Sequence, residues 1–154
     1  MACFSRLVSN PVLALVTCLA IGLVTPMTWA GDDADQAVLL QALANAKVSL
    51  ADGLKQSTKG TEMPISAKFE LDDKKQLSLS VYTAEKGLAV DSEHNVLKEL
   101  AGSPEKTPWA PDAEVFKDIP HVARASQHLT IAAVAKGTLV DVVTGAQKDH
   151  GGYL

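Results

Sequence analysis

Cysteine is nearly absent from this chain of 154 residues. Its two cysteines, Cys3 and Cys18, both lie within the first thirty residues, so residues 31–154 contain none. This excludes a disulfide within residues 31–154 and a zinc site built there on thiolates. The stability of this part must therefore come from packing, and its length is enough for one ordinary core or two small ones.

Clustered positive charge is missing as well. Residues 31–154 contain thirteen Lys and Arg against eighteen Asp and Glu, which gives a net charge of −5. Nucleic acid and anionic membrane both favour clustered cations, so we expect neither as a partner. A moderate negative charge mainly favours solubility.

The motifs of common catalytic sites are also missing. Ser126 and His128 are close in sequence, but no Gly-x-Ser-x-Gly elbow surrounds the serine. Asp72 and Asp73 stand in a polar turn, where acids are usually solvated turn formers. No glycine-rich phosphate-binding loop occurs. The sequence therefore predicts that the protein is not an enzyme and needs no cofactor.

Two histidines are weak candidates for metal ligands. His121 and His128 lie seven residues apart, on one face of a predicted helix, and Glu114 is nearby. Zinc sites usually combine three or four ligands at tighter spacing, so we expect these histidines to face solvent. Weak binding of zinc or copper through His121, His128 and Glu114 is the alternative.

The first thirty residues have the pattern of a secretory signal. Arg6 precedes an apolar run of thirteen residues from Val12 to Val24, and Thr28-Trp29-Ala30 supplies small residues at the −3 and −1 positions. The run is shorter than the roughly 20 residues that span a bilayer. We expect a signal peptide over 1–30 that is cleaved after Ala30, a periplasmic or secreted protein, and no stable membrane insertion after cleavage.

Hydrophobic periodicity predicts an α+β unit over residues 31–101. A period of 3.6 predicts two helices, and a period of two then predicts an antiparallel hairpin and two further short strands. The predicted helices cover 34–46 and 49–58, and the predicted strands cover 65–71, 76–83 and 88–91. Residues 96–100 form either a further strand, which we favour, or a short helix. The second helix and the sheet each have one apolar face, so we expect the two faces to pack together.

The apolar faces can be assigned to individual residues. Leu50 and Leu54 of the second helix are expected to touch Phe69, Leu79 and Val81. Strand alternation places Ile65 and Leu71 on the face of Phe69, and it places Tyr82 on the solvent face, where it could contact a partner.

A helix start recurs eighty-nine positions apart in the chain. Ser49 and Asp52 in the first copy correspond to Thr138 and Asp141 in the second, and each pair has the spacing of a capping box. The similarity extends to other residues, which indicates a duplication. The further matched pairs are Ala44 and Ala133, Ala46 and Ala135, Lys47 and Lys136, and Leu50 and Leu139.

Residues 102–112 contain three prolines and are predicted to be a semi-rigid linker. Trp109, within it, either fills a gap against one of the units or is an exposed anchor for a partner.

Residues 113–154 are predicted to form a second, mainly helical partial unit, with helices over 121–136 and 138–147. The chain reaches Leu154 where the matching hairpin would begin. Leu139, Val142 and Val143 would then pack on the first unit, receive strands from a partner, or belong to a truncated repeat, which is the interpretation we favour.

The segment from Ser49 to Leu97 resembles a PepSY domain. The resemblance consists of the capped helix with Ser49, Leu50 and Asp52, the antiparallel hairpin that follows, and the turn from Asp91 to Asn95. It covers about residues 47–100, and 136–154 resemble the beginning of a second copy. The chain departs from the family in having Asn95 where glycine is usual and in the shortness of its third strand.

The resemblance implies an extracytoplasmic module of the kind found in propeptides of thermolysin-like metallopeptidases and in envelope proteins, where it binds or restrains other proteins. The first functional hypothesis is therefore an exported module that binds or regulates an envelope or extracellular protein, such as a peptidase. The second is a small-ligand or metal-binding periplasmic protein that uses His121 and His128.

Overall fold

A computed structural model of the chain describes residues 30–151, with side chains from residue 35 onward, and the predicted signal peptide and its cleavage lie outside this description. The fold is α+β, with helices packed on a small antiparallel sheet, which confirms the predicted fold class. The elements are α1 (Ala30–Leu43), α2 (Leu50–Ser57), β1 (Met63–Leu71), β2 (Leu77–Ala84), β3 (Leu97–Gly102), β4 (Asp112–Val115), α3 (Ile119–Val134) and α4 (Leu139–His150).

The four strands pair in chain order, each antiparallel to the next. Asp72 shapes the turn between β1 and β2, because its carboxylate accepts hydrogen bonds from the backbone N–H groups of Lys74 and Gln76, both at 2.8 Å. Lys75 completes this turn with a φ of 59°. Asp72 is therefore a turn former, as its sequence context predicts.

β1 contains one extra residue opposite β2, at Ile65 between Pro64 and Ser66. Such a bulge shifts the alternation of side chains along the strand. Ile65 consequently joins the core cluster beneath α3, whereas Phe69 packs against the core cluster that contains α2. The prediction that Ile65 and Phe69 share one face of the sheet is wrong for this reason.

α2 covers the first face of the sheet. Leu54, Leu79 and Val81 are fully buried together, and Leu50 and Phe69 pack at the edge of the same cluster. These are the contacts that the strand and helix periods predict. The burial of such aliphatic side chains is the main stabilising contribution to a core of this size.

Both repeated helix starts carry an N-cap. The Ser49 hydroxyl accepts from the backbone N–H of Asp52 at 3.1 Å, and the Thr138 hydroxyl accepts from that of Asp141, also at 3.1 Å. At α4 the box is reciprocal, since the Asp141 carboxylate accepts from the backbone N–H of Thr138 at 3.2 Å. Hydrogen bonds from Thr138 hold the pKa of the Asp141 carboxyl below its usual value.

α4 packs on the same core as α2. Leu139 and Val140 contact the cluster at its edge, and Val143 is buried within it beside Leu54. Of the three alternatives for Leu139, Val142 and Val143, packing on the first unit holds for Leu139 and Val143, whereas Val142 is largely exposed. The predicted units 31–101 and 113–154 therefore share a core in the structure.

Residues 102–112, predicted as a linker, connect β3 to β4 within one sheet. The carbonyl of Pro104 accepts from the backbone N–H groups of Lys47 and Val48 at 2.8 and 3.0 Å. Trp109 is only 6% exposed, and its Nε1 donates to the Gly102 carbonyl at 3.3 Å. Trp109 therefore fills a gap in the core, and the alternative of an exposed anchor is wrong.

α3 crosses the second face of the sheet. Its Ala125 and Leu129 pack against Tyr82, Ala84 and Leu97. The side chain of Tyr82 is 5% exposed, so the prediction that it faces solvent and could contact a partner is wrong. The sequence pattern showed Tyr82 on the side opposite Leu79 and Val81, but it did not show that a second helix covers that side. Burial, followed by the nearby Glu99, raises the pKa of Tyr82.

The predicted strand over 88–91 is absent from the sheet, and these residues form turns and bends in the loop between β2 and β3. Asn95 organises this loop, since its side chain accepts from the backbone N–H of Lys86 and donates to the Gly87 carbonyl, both at 2.9 Å. Asp91 accepts from the backbone N–H of His94 at 3.1 Å. These side-chain bonds replace the backbone pairing that a strand would need.

Candidate functional site

An apolar groove of about 570 Å³ opens between α3, α4 and the start of β1. We call it the α3–α4 groove. Six of its lining residues define it here: Met63, Pro64, Ile131, Ala135, Leu139 and Val142. Leu88, from the loop after β2, and His128 also line it.

The periodicity of α3 explains why this helix has two apolar faces. Ala125 and Leu129, four residues apart, face the sheet. His128, Ile131, Ala132 and Ala135 follow the i, i+3, i+4, i+7 spacing of a second helical stripe, and this stripe lines the groove. In α4, Leu139 and Val142 extend the same surface.

Two side chains of the groove are unusually open for aliphatic residues. Ile131 is 63% exposed and Val142 is 62% exposed. A single exposed aliphatic residue is common on a protein surface, but neighbouring ones that line the same concave surface are typical of binding sites. The groove is thus the candidate functional site of the described chain.

A second depression, of about 410 Å³, shares Met63, Pro64 and Thr138 with the α3–α4 groove. It adds Lys55 of α2 and Val140 of α4 to the lining. The shared residues make the two depressions one continuous surface that runs past the N-terminus of α4.

The charges along this continuous surface are mainly positive. Lys55 and Lys136 line it, and the ion pairs formed among residues 35–151 do not include either of them. The acidic residue of this surface is Asp141, whose carboxylate accepts hydrogen bonds from the backbone N–H and the hydroxyl of Thr138.

His128 contributes an uncharged imidazole to the groove wall at neutral pH. Burial, followed by repulsion from Arg124, lowers the pKa of His128 from its usual value. Its Nδ1 atom is buried and has no hydrogen-bond partner in the described part of the chain. The ring lies 6.3 Å from the ring of Tyr82, between centroids. A buried ring nitrogen without a partner favours the neutral form of histidine, because burial penalises the charged form.

His121, the other histidine of the sequence-based metal hypothesis, has different surroundings. Its Nδ1 lies 2.7 Å from the carboxylate of Asp118, the N-cap of α3, and its ring stacks on Phe116 at 5.4 Å between centroids. The hydrogen bonds from His121 lower the pKa of Asp118. Among the residues that the structure describes, no group of three or more His, Cys, Asp and Glu is placed to hold a metal ion.

The remaining polar contacts support the fold. The Ser126 hydroxyl donates to the Val122 carbonyl one turn earlier in α3, at 2.7 Å, which is a local helix contact. On the sheet, the carboxylate of Glu62 accepts from the Thr83 hydroxyl at 2.7 Å and pairs with Lys98 at 3.1 Å. These bonds satisfy polar groups that the helices cover.

Within residues 30–151 no single helix is both long and apolar enough to cross a membrane. By length and composition alone, α3 and α4 pass such a test together, as a pair bent by 79°. The bend lies at residues 135–138, next to the groove.

Comparison of the chain with protein-family models, with curated proteins and with solved structures finds no match in any of the three. The groove must therefore be interpreted from its own residues. Sequence reasoning identified Thr138 and Asp141 at its edge as capping residues but did not identify the groove. The available signal was the excess of aliphatic residues on α3, where Ile131 and Val134 fall outside the stripe that packs on the sheet.

Proposed function

We propose that this protein is an exported, non-catalytic, PepSY-like module that binds or regulates another envelope or extracellular protein, with a peptidase as one candidate partner. The observation that carries the proposal is the α3–α4 groove, an open apolar surface that includes Lys136 and continues into the depression lined by Lys55. Surfaces of this kind are typical of protein-binding sites, in which an apolar centre excludes water and a charged rim directs the partner.

The order of elements supports the PepSY-like part of the proposal. A hydroxyl-capped helix, α2, precedes an antiparallel hairpin, β1 and β2, and covers one face of it through Leu50 and Leu54. This is the order on which the sequence resemblance rests. The export part rests on the signal-like pattern of residues 1–30.

The proposed binding function can be tested by site-specific crosslinking. The full chain would carry a photoreactive benzoylphenylalanine in place of Val142 and would be irradiated in an envelope extract of the organism that carries the gene. We expect one reproducible protein adduct. A matched chain with the same group in place of Ile119, which is 83% exposed but outside the groove, should not form it. If no reproducible adduct forms from Val142, or if both positions give the same adducts, the proposed function is wrong.

The proposed export can be tested independently of binding. The full gene would be expressed in its native host, the cells fractionated, and the N-terminus of the recovered protein sequenced. We expect a periplasmic or secreted protein that begins at Gly31. Recovery of the uncleaved chain from the cytoplasm would show that the export proposal is wrong.

A further inference from the structure

We propose that the partner binds by placing an amphipathic α-helix with acidic flanks into the α3–α4 groove. This inference rests on the proposed function, since it names the kind of partner segment that the groove accepts. It follows from the shape of the groove wall, from the local structure of β1 and from the charges at the rim.

The internal repeat matches one covered position of α2 with an exposed position of α4. Val142 in α4 corresponds to Gly53 in α2 at the offset that relates the two capped helices. Gly53 is buried directly against Leu79 of the sheet, whereas Val142 is largely exposed. The counterpart of Leu54, Val143, is buried in the core, so it is at the position of Gly53 that residues 35–151 leave α4 open.

The groove wall has the form that receives a helix. His128, Ile131 and Ala132 form ridges at i, i+3 and i+4 on α3, Ala135 follows at its C-cap, and α4 continues the surface after the 79° bend. Helices pack by fitting such ridges into the grooves of a second helix, and small residues such as Ala132 and Ala135 allow close approach. A partner helix with apolar residues at the same spacing would cover Ile131 and Val142 together.

An extended strand fits this place less well, although β1 is an edge strand of the sheet. The part of β1 that borders the groove contains Pro64, which has no N–H to donate, and the bulge at Ile65. Proline and bulges are the features by which natural sheets block pairing at an edge. A strand added at this end of β1 would lack a regular hydrogen-bond ladder.

The charges of the rim favour an acidic partner. Lys55 and Lys136 border the continuous surface, and the ion pairs among residues 35–151 leave both available. Acidic residues on the exposed flanks of a bound helix could meet these two cations. The net negative charge of the rest of the chain would disfavour the same helix at other sites.

The test uses the full exported chain and three synthetic labelled peptides of about 14 residues, helically constrained where needed because helices of this length are marginal alone. The first has Leu at i, i+3, i+4 and i+7 with Glu elsewhere. The second has the same numbers of Leu and Glu but places Leu at every second position, i, i+2, i+4 and i+6, as on one face of a strand. The third keeps the Leu spacing of the first and replaces Glu with Lys. Binding is measured by fluorescence anisotropy at low salt.

We expect the first peptide to bind about tenfold or more tightly than the other two. Val142→Glu should weaken its binding by about tenfold or more, because it places a carboxylate in the apolar centre. Lys136→Glu should weaken binding more at low salt than at high salt. Ile119→Glu, a substitution at the start of α3 and outside the groove, should leave binding unchanged. Circular dichroism of each variant would show that it remains folded.

Several results would overturn the inference. Preference for the alternating peptide would indicate an extended partner, and equal binding of all three peptides would remove both the helix and the charge argument. Sedimentation that shows a dimer disrupted by Val142→Glu would make a second copy of this chain the occupant. Binding to phosphatidylglycerol vesicles that Val142→Glu abolishes would make a membrane the occupant. If crosslinking from position 142 still captures a protein while the peptides fail, the inference is wrong and the proposed function stands.

Discussion

Gly53 of α2 lies so close to Leu79 of β2 that a β-carbon at position 53 would overlap the leucine side chain. The corresponding position in the second capped helix is Val142, which faces the groove. The two helices therefore start in the same way but pack differently. At Gly53 the backbone of α2 lies directly against the sheet, whereas at the corresponding position of α4 the Val142 side chain faces the groove.

The close contact at Gly53 predicts that a larger side chain at this position destabilises the fold. Gly53→Val should lower the free energy of unfolding by about 3 kcal/mol, because overpacking a buried contact is costly and a β-branched residue gains little in a helix. Urea unfolding followed by circular dichroism measures this loss. The control is Gly145→Ala in α4, where a β-carbon meets no neighbour within 4 Å. That variant should gain up to about 1 kcal/mol from helix propensity. A Gly53→Val protein as stable as wild type would contradict the packing.

The part of the fold that the sequence predicts is the part coded by short-range signals. Ser49 and Thr138 are followed three residues later by an acid, and the apolar spacing around Leu54 changes period at the hairpin. These patterns predict the capped helices, the hairpin and their contact. The bulge at Ile65 was not predictable from alternation, since one extra residue leaves the composition of the strand unchanged.

The groove and β4 depend on tertiary contacts and were not predicted. β4 has four residues, all exposed, next to prolines, and only pairing with β3 makes it a strand. Single-sequence patterns do not show which helix or loop covers a given face, so the prediction for Tyr82 is wrong and two alternatives remained for Trp109. The groove combines residues from α3, α4 and β1, which become neighbours only in the folded chain.

The core beneath α2 predicts a large loss on truncation of Leu54. This side chain is fully buried between Leu79 and its neighbours, so Leu54→Ala should reduce the free energy of unfolding by about 2–5 kcal/mol. Leu40→Ala in α1, where the leucine is largely exposed, is the control and should change stability by no more than about 0.5 kcal/mol. Equal free energies of unfolding in urea for the two variants would show that α2 does not pack on the sheet.

The capping box of α4 predicts a moderate loss of stability when it is removed. Thr138→Ala deletes the acceptor for the Asp141 backbone N–H and should lower the free energy of unfolding by about 1 kcal/mol. Thr138→Ser keeps a hydroxyl at the N-cap and should lose much less. Because α4 borders the groove, hydrogen exchange of its first turn is the local readout. Unchanged exchange in Thr138→Ala would contradict a stabilising role for the box.

The buried Nδ1 of His128 predicts that mild acid destabilises the fold through this residue. The pKa of His128 is lowered in the folded state, so the unfolded chain takes up the proton first as pH falls. The contribution of neutral His128 is therefore complete above pH of about 6.5 and is lost as pH falls through the lower folded-state pKa.

The measurement is urea unfolding of wild type and His128→Gln from pH 8 to pH 5, with conditions spaced by about half a pH unit across the titration range of histidine. Wild type should lose more stability than His128→Gln over this interval, since glutamine does not titrate. The exposed His150 provides the control, and His150→Gln should follow the wild-type pH profile. Parallel profiles for wild type and His128→Gln would mean that the His128 ring turns into solvent or that it finds a hydrogen-bond partner when it is protonated. Either result would remove His128 from the neutral wall of the α3–α4 groove.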